Sequence, residues 1–280
     1  MRDGRLLLLA PALAVLAGVF AAPAALLLVV SFWSVRSFKL TPDLSGAAWA
    51  RFATEYGGLA AYTVGVGLAV GALCTVLGFL FAYAARFKAG AWGDALMLAT
   101  LVTLFGGYLV KVYAWKSILG ASGILNQGLM ALGLTDAPLA ALIYSPFAVA
   151  VALVHFLLPF AILPIYAALR SIPDVSIEAA RDLGAGWWAI LGRVILPQAQ
   201  GGILAAFGFC FLLAAGDYVT PLLLGGPSGQ MLGQFVLLEF TTRFDWPAGA
   251  AMSFGLLALC LAALALVAGL WRLSIRPGGP

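Results

Sequence analysis

The sequence predicts an all-α, polytopic membrane protein with six transmembrane helices. Three observations carry that prediction. Hydrophobic residues make up 64% of the 280 and charged residues only 9%, a balance far outside that of soluble domains. Mean hydropathy is +1.07. The apolar residues are gathered into runs of about twenty or more, the length that crosses a hydrocarbon core about 30 Å thick. The net charge of +4 comes from fifteen Lys and Arg, which concentrate at the ends of those runs, where anionic lipid and the positive-inside rule favour them. They form no basic stripe for nucleic acid. Cys74, Cys210 and Cys260 all lie inside apolar runs and read as small buried hydrophobes, not as disulfide partners or metal ligands.

Taken in order, Met1 to Arg5 is short and basic, and Leu6 to Phe32 is an apolar run broken only by Pro11 and Pro23. A cleaved leader ending near Ala21 and Ala22 is the competing reading. The run is too long for the apolar part of a leader, which predicts an uncleaved first span with its N-terminus inside. Trp33 to Gly58 mixes Arg36, Lys39, Asp43, Arg51 and Glu55 with Pro42 and Gly46 and reads as an exposed connection. Leu59 to Ala85 is the second span. Its Gly67, Gly71 and Gly78 allow close packing, because association within lipid depends on van der Waals approach. The third span runs from Ala95 to about Tyr113 and carries Lys111. That lysine either lines a polar path or snorkels to the interface beside Lys116, where Tyr108, Tyr113 and Trp115 resemble an aromatic belt. Ser122 to Pro138 reads as a loop, whose apolar stretch Ile124 to Leu134 is too brief to span.

Ala140 to Leu169 is the fourth span, with Pro146, Pro159, Pro164 and the single histidine, His155. Its prolines remove backbone donors and predict a bent helix whose freed carbonyls are satisfied by neighbours or a cavity. His155 reads as an imidazole bonded to a neighbouring helix or as a proton relay; alone it cannot build a metal site. Gln198 to Leu224 is the fifth span, and Asp217 falls about 28 Å beyond Gln198 along a continuous helix. Asp217 either caps a helix break ahead of Pro221 or is offered to a cationic solute. Gly225 to Trp246, with Glu239, Arg243 and Asp245, reads as an exposed loop, and Pro247 to Leu270 as the sixth span.

Between the fourth and fifth spans, Ser171 to Pro197 concentrates charge in a chain otherwise poor in it. Ser171 three residues before Asp174 has the spacing of a capping box, Pro173 fits only a first turn, and Gly184 reads as the stop. Asp174 and Glu178 sit toward the positive end of the helix dipole and Arg181 toward the negative end. The segment reads as a short, independent surface helix. It is either an ordinary capped loop helix or, with Ala179 and Ala180 admitting a close approach, a docking element for a partner.

The spacing Glu178-Ala179-Ala180, three residues, Gly184, nine residues, Val194, then Leu196-Pro197 resembles the EAA loop of ABC importer membrane subunits, with valine where isoleucine is usual. Three further stretches resemble the spermidine/putrescine branch of these permeases: Val110 to Trp115 with Gly123 to Asn126, Leu158 to Leu169, and Gly216 to Pro221 with Gly225-Gly226. The resemblance covers about Tyr62 to Leu270, with Lys111 standing where that branch commonly has arginine. It implies a type I ABC importer permease fold. Residues 1–58 would form an N-terminal transmembrane helix and external loop, and 59–280 a transporter core of five transmembrane helices with a coupling loop at 171–197.

The resemblance further implies a permease subunit in a bacterial inner (plasma) membrane that forms half of a translocation pore. It would receive a small solute from an external binding protein and pair with a second, different but related permease and an ABC ATPase dimer. Glu178, Ala179, Ala180, Arg181, Asp182 and Gly184 are then the ATPase-coupling residues. Lys111, Tyr113, His155, Asp217 and Tyr218 form the candidate solute path. A polyamine-like solute fits best, with ferric iron, thiosulfate and phosphonates as other solutes such permeases serve. With the N-terminus inside, nine basic residues (Arg2, Arg5, Arg86, Lys88, Arg170, Arg181, Arg193, Arg272 and Arg276) fall on inner segments and six on outer ones. Both termini and the coupling loop are therefore expected in the cytoplasm. There is no GxxxxGK[ST] phosphate loop, so the expectation is no ATPase site, no catalytic residue and no cofactor in this chain, ATP being used by the partner. The rival readings are an ion-coupled secondary transporter, which usually needs an inverted repeat, and a membrane enzyme, which needs a nucleophile or metal cluster. The sequence offers neither.

Overall fold

A computed structural model describes residues 3–36 and 39–274. Arg2 and Arg276 of the inner-charge count, and the side chains of Arg5 and Arg272, lie outside the described part. Among the described residues, five helices are long and apolar enough to cross a membrane: Ala10–Val30, Ala47–Phe87, Pro146–Arg170, Trp187–Ala215 and Trp246–Trp271. A sixth candidate span is a pair of helices, Gly90–Leu104 and Tyr108–Ala131, bent by 92°. A short antiparallel hairpin, β1 (Ser34–Arg36) and β2 (Lys39–Thr41), pairs Val35 with Leu40. The architecture is all-α and polytopic, as the apolar runs predict.

In chain order the helices are α1 (Asp3–Leu16), α2 (Ala22–Val30), α3 (Ala47–Arg51), α4 (Gly57–Phe87), α5 (Gly93–Leu104), α6 (Tyr108–Leu119), α7 (Ile124–Ala131), α8 (Pro146–Arg170), α9 (Asp174–Asp182), α10 (Trp187–Ile190), α11 (Leu196–Ala215), α12 (Leu232–Leu238) and α13 (Trp246–Ser274). They divide into two compact units, Met1–Ala61 with Leu232–Leu259, and Tyr62–Met231 with Cys260–Pro280. The first groups Leu232–Leu259 with the N-terminal part rather than with the remainder of 59–280.

In the first unit two expected loops are helical. Ala47 to Tyr56 leads without a break into α4, and Leu232 to Arg243 is α12 followed by a π-helical turn. The charges that make both segments look solvated neutralise one another. Arg51 Nη2 lies 3.0 Å from Asp245 Oδ2 and 3.6 Å from Glu239 Oε2, and Arg243 Nη1 lies 2.7 Å from Glu239 Oε1. Glu239 is fully buried, which a carboxylate tolerates only when paired and hydrogen-bonded.

The second unit is built around α4, α8 and α11, with Leu153, Leu157, Ile165, Leu169 and Phe211 fully buried among them. Gly67 and Gly71 of α4 face Ala215 and Phe211 of α11, and Gly78 faces Ala161 of α8. The predicted small-residue face is therefore where the backbones approach. The α8 helix is started by the Ser145 hydroxyl accepting from Ala148 N–H and by Pro146 in its first turn, and it continues through Pro159 and Pro164. The third span is not one continuous helix. It breaks at Phe105 to Gly107, where two glycines in a row offer no side chain to favour helix and Gly107 turns extended at ψ 130°. The predicted loop after it contains α7, held by buried Asn126, whose amide donates to Gly120 O and accepts from Leu139 N–H.

The helices α8 and α11 approach closely at Gly202, where an added Cβ would stand 2.5 Å from both Ala168 Cβ and Pro164 O. The neighbouring Gly201 has nothing within 4 Å of its Cβ position. Gly202→Ala should therefore lower stability by about 1–3 kcal/mol. Gly201→Ala should be neutral or stabilising by up to about 1 kcal/mol. Melting of the two purified variants in one detergent, followed by tryptophan fluorescence, checks the contrast.

Candidate functional site

The segment after α8 is ordered by that helix's end. The Ser171 hydroxyl does not form the expected capping box; it turns back and donates to Ala168 O at 2.7 Å. The reason is distance along the chain: Arg170 is still helical, so the carbonyl three residues back is the nearest acceptor. Pro173 then occupies the N-cap position of α9, and no side chain caps the helix. Asp174 instead accepts from Arg86 Nη2 at 2.8 Å, which ties the start of α9 to the end of α4. The segment is thus anchored rather than independent.

The end of α9 follows the expectation for Gly184. Its φ is +79°, the left-handed region that glycine enters without steric cost. Gly184 N–H donates to Arg181 O at 2.8 Å and Ala185 N–H to Ala180 O at 3.0 Å, the paired bonds of a Schellman closure. Ile177 alone of α9 is buried, and Glu178, Ala179, Arg181, Asp182 and Gly184 are exposed, with Ala180 half-buried. Beside them Val175, Leu183 and Trp188 are 71%, 89% and 78% exposed. The outward surface is therefore a mixture of charge and uncovered apolar side chains. Behind it Trp187 Nε1 donates to Tyr83 OH of α4 at 2.9 Å. A cavity of about 260 Å³ lies between these elements, lined by Tyr83, Arg86, Asp174, Ile177, Glu178 and Trp187.

A second cluster gathers where helices break. Asp217 follows the end of α11. Its carboxylate accepts from Val219 N–H at 3.0 Å and Thr220 N–H at 3.2 Å, capping the turn that begins at Pro221. Tyr108, the first residue of α6, places its hydroxyl 2.7 Å from both Asp217 oxygens. Lys111 Nζ donates to Thr103 O at 2.5 Å and lies 5.6 Å from the centre of the Phe156 ring. It thereby covers one of the last carbonyls of α5 across the bend. His155 Nδ1 accepts from Trp115 Nε1 at 3.1 Å, a bond between α8 and α6 that requires the unprotonated nitrogen. Tyr113 and Tyr218 are exposed and make no contact with Asp217 among the described bonds. Sequence reasoning missed Tyr108, Tyr83, Arg86 and Trp187 as parts of these clusters, because each works through a partner far along the chain. No three His, Cys, Asp or Glu converge on a metal-sized site among the described residues.

Residues 15–274 match the family described as the inner membrane component of binding-protein-dependent transport systems. The chain belongs to this family. It is similar to the spermidine/putrescine transport system permease protein PotB of Haemophilus influenzae, 35% identical over 187 residues, covering 67% of this chain and 65% of that protein. The match thus spans slightly under two thirds of that relative. With PotB of Escherichia coli K12 the identity is 33% over 201 residues, 72% of each chain. A bacterial alginate ABC transporter, solved in complex with an alginate pentasaccharide-bound periplasmic protein, has a chain that superposes with a TM-score of 0.71 at 16% identity, covering 99% of this chain and 97% of that one. The fold is that of an ABC importer permease, and the family places the chain in the inner membrane as a multi-pass transport subunit. Nothing in these likenesses favours the secondary transporter.

The bond from Lys111 to Thr103 O gives a test of whether Lys111 acts on the bend or on a solute. Lys111→Met removes the ammonium from the exposed end of α5 and should cost about 1 kcal/mol of stability. Uptake affinity of the assembled transporter for its solute should stay within twofold. Parallel melting and uptake measurements check both halves.

Proposed function

We propose that this chain forms half of the translocation pore of an ATP-driven importer and couples to a separate ATPase dimer through 171–197. Glu178, Ala179, Ala180, Arg181, Asp182 and Gly184 are the docking residues. The observation that carries this reading is the outward surface of α9. A protein facing water gains nothing by exposing Val175, Leu183 and Trp188 together, whereas a partner's groove would cover them and pair with the charges around them. The tie from Arg86 to Asp174 puts the end of the second span and the coupling segment on one side, in keeping with the charge count. Both termini are assigned to the cytoplasm, where ATP reaches the docked ATPase. The second permease is a related but different chain, and an external binding protein delivers the solute.

The solute is a polyamine-like cation. Two relatives are named for spermidine/putrescine transport, and the charge offered by this chain is Asp217, with which no Lys or Arg pairs among the described residues. Tyr113 and Tyr218 supply exposed aromatic surface for the path, and Lys111 and His155 hold the helices that frame it.

Gentle purification of the chain from its native membrane, with retained proteins identified by mass spectrometry, tests the assembly. An ATPase and a second multi-span subunit are expected in the eluate. Gly184→Asn, which tolerates the left-handed backbone, should keep the ATPase. Gly184→Asp should lose at least about tenfold of it, since a carboxylate then meets the groove unpaired. Retention of both ATPase and transport by Gly184→Asp would overturn the assignment.

A further inference from the structure

We propose that Tyr108 is a positioning residue for solute recognition: through its hydroxyl and that of Thr220 it fixes the Asp217 carboxylate as the point that receives an alkylammonium group. The inference rests on the reading of a cationic solute and deepens it. The network has a defined direction. Tyr108 has one hydroxyl proton and lies 2.7 Å from both Asp217 oxygens, which can only accept. Thr220 Oγ1, fully buried, lies 2.7 Å from the same tyrosine oxygen. With the tyrosine proton committed to Asp217, Thr220 donates to Tyr108, and each bond polarises the next.

The tyrosine is itself held. Its ring packs on Phe156 with centroids 4.5 Å apart, and its backbone opens α6 directly after the bend. Every donor on Asp217 that the structure shows is neutral: one hydroxyl and the N–H groups of Val219 and Thr220. The carboxylate is thus oriented without being neutralised, and it is half-buried. A carboxylate accepts about four hydrogen bonds, so a free lone pair remains for an ammonium. Fixing the acceptor beforehand removes part of the ordering cost of binding. A carboxylate that served only as a helix cap would need the two backbone N–H groups and would have no use for a hydroxyl delivered from another helix.

The test uses the complete transporter, this chain with its permease partner and ATPase, in lipid nanodiscs without the binding protein. Spermidine and putrescine are titrated, and apparent affinity is read from radioligand binding alongside the melting temperature of each unliganded variant. Asp217→Asn should weaken spermidine binding about tenfold or more. Tyr108→Phe, which keeps the ring on Phe156, should weaken it about fivefold with the unliganded melting temperature nearly unchanged. The double variant should bind no more weakly than Asp217→Asn, since the hydroxyl acts only through the carboxylate. If neither amine binds the parent complex, or Asp217→Asn binds spermidine as the parent does, the cationic-solute reading fails. If Asp217→Asn is weakened but Tyr108→Phe is not, that reading stands and the role of Tyr108 is overturned. Full additivity in the double variant, or a Tyr108→Phe effect confined to melting, would equally overturn it.

Discussion

A peptide group inside an apolar span has no water to turn to, and an unpaired one there costs several kcal/mol. Two of the interruptions in the second unit's helices, at Phe105 to Gly107 and at Gly216 to Tyr218, are closed by charged side chains. Lys111 reaches back over the bend to Thr103 O, and Asp217 reaches forward to the N–H groups of Val219 and Thr220. One cation thus serves a helix C-terminus and one anion a helix start, the senses that the peptide dipoles favour. Tyr108 lies between them in the chain and bonds the second break from the rim of the first.

At the α9 surface the problem is reversed. The α9 helix has one buried apolar residue, Ile177, and a single anchor of that size holds nine residues poorly. The Schellman closure at Gly184, the ion pair from Arg86 and the indole bond from Trp187 to Tyr83 make up the difference. Because two of those three contacts end on α4, a displacement of α9 is passed to a long helix whose glycines pack against α8 and α11. The α9 surface and the packed centre of the second unit therefore share one helix.

Much of this was legible in the chain. Apolar length marked the spans and Gly184 the end of α9, and Asp217 four residues before Pro221 allowed a helix start as one of its two readings, each from a local rule. The bend in the third span was not legible, because hydropathy sums along a window and is blind to direction; only Gly106-Gly107 hinted at it. Ser171 misled because its spacing to Asp174 fits a cap, while its hydroxyl had a closer carbonyl behind it. Glu239 and Arg51 look solvated in isolation, and their mutual neutralisation depends on a pairing across most of the sequence. The Glu239-to-Arg243 spacing of one helical turn was the one local sign that the last loop was a helix.

Arg51 and Asp245 stand 194 positions apart, and Glu239 enters the same ion network from α12's side of the chain. During synthesis almost all of the second unit emerges between them. The Arg51 guanidinium is therefore made long before the carboxylates that neutralise it, so the first part of this unit to be made is the last to be completed. A chain stopped short of Glu239 would hold the second unit from Tyr62 to Met231 and none of the carboxylates that neutralise Arg51.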